Sequence, residues 1–62
     1  MNDRAAAQAA YRVLVVDDDP DMAGFLAHLL QREGMSVETA GDGQSALMKV
    51  MTSPPDLMLL DV

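Results

Sequence analysis

A chain of 62 residues holds at most one small domain, and ten acids against four bases, a formal net charge of -6, make it a poor sequence-independent ligand for nucleic-acid phosphates. The absence of Cys excludes a disulfide framework and a thiolate zinc site, and no apolar run approaches the roughly 18 residues of a membrane helix. Hydrophobic residues make up 50% of the chain, yet Tyr11 and Phe25 are its only aromatics, so the expected core is aliphatic, with Met as an adaptable packing group.

Met1 to Ala10 is small, polar and Ala-rich, and it lacks the apolar stretch of a signal peptide. Residues 1–11 are therefore expected to be a flexible leader, and the cytoplasm is the expected compartment. From Arg12 the character changes. Val13, Leu14, Val15 and Val16 form a continuous aliphatic run, as in a strand buried on both faces of a parallel sheet. The run stops at three acids, Asp17, Asp18 and Asp19.

Pro20 after Asp19 signals a helix start, because proline gives up nothing at the first helical position and the Asp19 carboxylate can accept a bond from an orphan backbone N–H. Met22, Phe25, Leu26, Leu29 and Leu30 fall at helical spacing and predict one buried stripe, with Gly34 as the C-terminal cap. His28, the only histidine, lies off that stripe and reads as a solvated surface group. Met35 to Ala40 alternates loosely, which suits a short strand near a sheet edge. Gly41-Asp42-Gly43 is a turn. Ala46, Leu47, Val50 and Met51 give a second helical face, ended by Pro54-Pro55, and Leu57 to Leu60 is again apolar and again ends in an acid, Asp61.

The order strand, helix, strand, helix, strand with short connections predicts a parallel α/β sheet. In such sheets ligands bind beyond the carboxyl ends of the strands, which is where Asp17, Asp18 and Asp61 fall. If the first and third strands are neighbours the carboxylates converge. Two unit charges ~4 Å apart repel by about 4 kcal/mol at an effective dielectric of ~20, so a cation is expected there. Oxygen donors without His or Cys favour Mg²⁺ or Mn²⁺, and a metal that retains water and takes phosphate oxygens suggests a phosphoryl site.

Three segments, Val13-Leu14-Val15-Val16-Asp17-Asp18-Asp19-Pro20, Glu38-Thr39-Ala40-Gly41-Asp42-Gly43-Gln44-Ser45-Ala46-Leu47 and Pro55-Asp56-Leu57-Met58-Leu59-Leu60-Asp61-Val62, resemble response-regulator receiver domains in order and spacing. The resemblance covers residues 12–62, the N-terminal half of a receiver. It implies a flavodoxin-like fold cut to β-α-β-α-β, with strand order 2-1-3. It also implies that Asp61 is the phosphoacceptor, Asp18 a direct metal ligand, and Asp17 a further metal-site residue acting largely through metal-bound water. Asp19 is assigned to capping. Mg²⁺ (or Mn²⁺) is the implied cofactor, and a sensor histidine kinase or phosphotransfer protein the implied partner. The family's Ser/Thr-bearing and Lys-bearing strands lie beyond the matched pattern, so the isolated chain is expected to be impaired or incompetent in phosphoryl uptake.

Two other classes compete with this reading. A haloacid-dehalogenase-like phosphatase also uses an Asp nucleophile after a first apolar strand, but its Asp-x-Asp-x-Thr/Val pattern needs Thr or Val where Asp21 stands. A non-phosphorylated interaction module would keep the fold to pair with a partner. With order 2-1-3 the third strand is an edge, and Leu57, Met58, Leu59 and Leu60 are the expected seam of a homodimer. The chain is read as a signalling module, not an enzyme.

Overall fold

The computed structural model describes residues 11–61. The expected leader lies outside the described residues apart from Tyr11. Five elements follow in order: β1 (Arg12–Val16), α1 (Pro20–Arg32), β2 (Ser36–Ala40), α2 (Gly43–Thr52) and β3 (Leu57–Leu60). The strands form one parallel sheet in the order β2-β1-β3, as the resemblance implied. Arg12 pairs with Ser36 and Val16 with Ala40 on one side of β1, while Val13 pairs with Leu57 and Val16 with Leu60 on the other.

Helix α1 packs on one face of β1 and α2 on the other, which explains its unbroken apolar run. Val13 and Val15 join Ala23 of α1 in one cluster, with Leu26, Leu30, Met35, Val37 and Leu59 packed around it. Leu14 and Val16 join Ala40 and Ala46 in a second cluster on the opposite face, with Val50 against it. Each fully buried Val or Leu contributes about 1.5–3 kcal/mol relative to exposure, so these four β1 residues are the main hydrophobic anchor of the fold.

The helix ends follow from their capping residues. Asp19 accepts hydrogen bonds from the N–H groups of Asp21 and Met22 at 3.0 and 3.4 Å, and Pro20 opens the helix. At the other end Gly34 adopts φ +91, and the Gly34 and Met35 N–H groups donate to the carbonyls of Gln31 and Leu30 at 3.0 and 3.2 Å. That is a Schellman arrangement, which requires the left-handed backbone glycine tolerates. Asp42 caps α2 by accepting from the Ser45 N–H at 2.7 Å. Asp42→Ala is expected to cost about 1 kcal/mol, whereas Asp42→Ser keeps an acceptor and most of that stability. Urea unfolding of the two variants beside the parent measures the difference, and equal midpoints for all three would remove the cap from the account.

The expected helical faces differ from those observed. Phe25 is 59% exposed, and Met22 and Leu29 are exposed as well, so α1 meets the sheet along Ala23, Leu26 and Leu30. In α2, Ala46 and Val50 pack while Leu47 and Met51, the latter 75% exposed, do not. Both helices approach through an alanine, whose small side chain lets the helix backbone come close to β1. Both also lie over β1 and β2, and no Cα of either helix comes within 8 Å of one in β3. A groove of about 320 Å³ therefore runs between Met22 and Leu26 of α1 and Leu59 and Leu60 of β3.

At the amino ends of the strands Arg12 holds the turn before β3. Its N–H donates to an Asp56 carboxylate oxygen at 2.8 Å, and its carbonyl accepts from the Asp56 N–H at 2.8 Å. The Arg12 guanidinium donates to the Ser53 hydroxyl, and Lys49 pairs with Glu38 at 3.3 Å. That exposed pair adds little stability. These basic groups stand at the end of the sheet opposite the aspartates.

Candidate functional site

The register of the sheet brings the acids together. Val16 and Leu60 are partners across β1 and β3, so the next residues, Asp17 and Asp61, emerge side by side. The ladder continues one step beyond the strands: the Asp61 N–H donates to the Val16 carbonyl and the Asp17 N–H to the Ala40 carbonyl, both at 3.0 Å. Both backbones are thus tied down, and the side chains leave from fixed points at the carboxyl end of the sheet.

Asp17, Asp18 and Asp61 each offer a carboxylate oxygen, and these atoms lie within 4.8 Å of one another. Asp17 is buried, only 7% exposed, while Asp18 and Asp61 are open to solvent. One Asp17 oxygen accepts from the Asp19 N–H at 2.9 Å, which shapes the loop between β1 and α1. Asp19 itself is turned to the helix start, in agreement with its reading as a cap. The cleft around the acids, about 350 Å³, is closed on its far side by Gly41, Asp42 and Gly43, and among the described residues no Lys or Arg lines it.

The electrostatic consequence falls on Asp61. Its carboxyl is held above its ordinary value of 3.8, first by the negative charge of Asp17, then by loss of hydration, then by a hydrogen bond shared with the Asp17 carboxyl, with smaller repulsions from Asp18 and Asp19. Asp17 is thus the dominant neighbour, a ranking that sequence spacing did not supply. Crowded anionic oxygens, with no base among the described residues to offset them, fit a hard divalent cation: the donor set is all carboxylate, and the open side of the cleft leaves room for water and phosphate oxygens. His28 is exposed on α1 and is not part of this group.

The family described as the response regulator receiver domain matches residues 13–62. The chain belongs to this family. Among similar proteins, the nitrogen assimilation regulatory protein NtrX of Azorhizobium caulinodans is 42% identical over 53 residues, 86% of this chain and 12% of the relative. The DNA-binding response regulator MtrA of Mycolicibacterium smegmatis is 49% identical over 51 residues, 82% of this chain and 22% of the relative. The alkaline phosphatase synthesis transcriptional regulatory protein PhoP of Bacillus subtilis is 47% identical over 51 residues, 82% of this chain and 21% of the relative. The receiver chain therefore spans from about an eighth to a little over a fifth of these relatives' lengths. No solved structure matches it. Receiver domains are signalling modules of two-component systems, and among the described residues no helix is long and apolar enough to cross a membrane.

Proposed function

We propose that this receiver is a phosphoacceptor of a two-component phosphorelay, with Asp61 taking the phosphoryl group from a sensor histidine kinase or phosphotransfer protein. The observation that carries this reading is the meeting of three carboxylates at the carboxyl ends of β1 and β3 in a chain of the receiver family. An Asp61 oxygen forms the new bond to phosphorus while the bond from phosphorus to the donor's imidazole nitrogen breaks, and the donor histidine leaves. Asp18 and Asp61 would hold Mg²⁺ (or Mn²⁺) directly, with Asp17 contacting it through water. When bound, the ion supplies positive charge that offsets the carboxylates and the incoming phosphoryl oxygens. Chemistry of this type asks the protein chiefly for position and charge, and the tethered backbones of Asp17 and Asp61 give the first.

Incubating the chain with a small acyl phosphate and Mg²⁺, then mapping the adduct by mass spectrometry, tests the proposal. Slow uptake, with the phosphate confined to Asp61, is expected. An adduct on Asp18, Asp42 or His28 instead would assign the acceptor elsewhere. The haloacid-dehalogenase-like reading would place the nucleophile in the first acidic loop, so the same map separates the two.

A second reading concerns the partner surface. β3 pairs with β1 on one side alone among the described residues, and its free edge suits antiparallel pairing with a second copy through Leu57, Met58, Leu59 and Leu60. Such pairing would set the two α1 helices about four strand spacings apart, roughly 19 Å. Helices pack at about 8–10 Å, so the seam satisfies the backbone of the edge and leaves the apolar faces over β3 bare. Leu59 belongs to the core cluster, which makes Met58→Lys the cleaner probe. Sedimentation equilibrium over a concentration series should give a dimer for the parent and a folded monomer for Met58→Lys. A monomeric parent rules the edge pairing out.

A further inference from the structure

We draw no further inference here: the strongest candidate, the apolar groove between Met22 and Leu26 of α1 and Leu59 and Leu60 of β3, carries none because nothing in the structure shows what covers it.

Discussion

Asp61→Asn is expected to reduce phosphoryl labelling of the chain by an acyl phosphate to background. The substitution keeps the size of the side chain, so the β1–β3 ladder and the Asp61 N–H bond to Val16 should persist. What it removes is the anionic oxygen, and a neutral amide is a feeble nucleophile toward phosphorus. Asp18→Ala is expected to act differently, because it leaves the nucleophile and takes away charge that helps hold a cation. Loss of one preorganised electrostatic contact slows such transfers by about 10²–10³-fold, so labelling should become slow and still map to Asp61. His28→Ala should label as the parent does, since His28 lies outside the acidic cluster. Intact-mass time courses on the parent and the three variants distinguish these outcomes. Undiminished labelling of Asp61→Asn, in protein shown to be folded by circular dichroism, would sink the assignment.

The features that sequence alone made legible are those with a short-range signature. The aliphatic run Val13 to Val16, the Asp19-Pro20 start, Gly34 and the Pro54-Pro55 stop each fix a local conformation, and the five elements fall within a residue or so of their expected bounds. The acidic cluster was legible because both apolar strands that run to the same end of a parallel sheet finish in aspartate. The helix faces were less so. A pattern of large apolar side chains favours Phe25 and Met51, yet the contact is decided by where a backbone can come close, and Ala23 and Ala46 carry little hydrophobic signal. Helix α1 is thus rotated away from the stripe that Met22, Phe25 and Leu29 suggested. The tie between Arg12 and Asp56, 44 residues apart, is not legible in the sequence, because it depends on the register of β3 against β1 and not only on their being neighbours. The weight of Asp17 on Asp61 has the same origin, since it comes from strand register and from the burial of one carboxylate beside its exposed partner.

The raised Asp61 carboxyl gives the site a pH dependence whose sign can be worked out. In the metal-free folded chain the group binds its proton more tightly than in the unfolded chain, because ionisation adds charge next to Asp17. Between the ordinary value of 3.8 and the raised folded value, the native state therefore carries more protons than the unfolded one. Stability contributed by this group then falls as pH rises through that window, and above it the carboxylate repulsion is fully expressed. Mg²⁺ is expected to reverse the effect, since a carboxylate ligand must be deprotonated and the ion offsets the same repulsion. Thermal melts should accordingly show a Mg²⁺-dependent rise in Tm at neutral pH that fades on acidification through the window. At a Mg²⁺ concentration about 100 times its dissociation constant the stabilisation would be about 2.7 kcal/mol. For a domain near this size each kcal/mol moves Tm by about 4–8 °C, so the change is readily measured. Asp61→Asn separates the two contributions: in EDTA at neutral pH it should melt above the parent, because the repulsion with Asp17 is gone, and it should lose most of the response to Mg²⁺. An equal Mg²⁺ increment in parent and variant, or one that persists unchanged below the window, would mean that the ion binds away from Asp61.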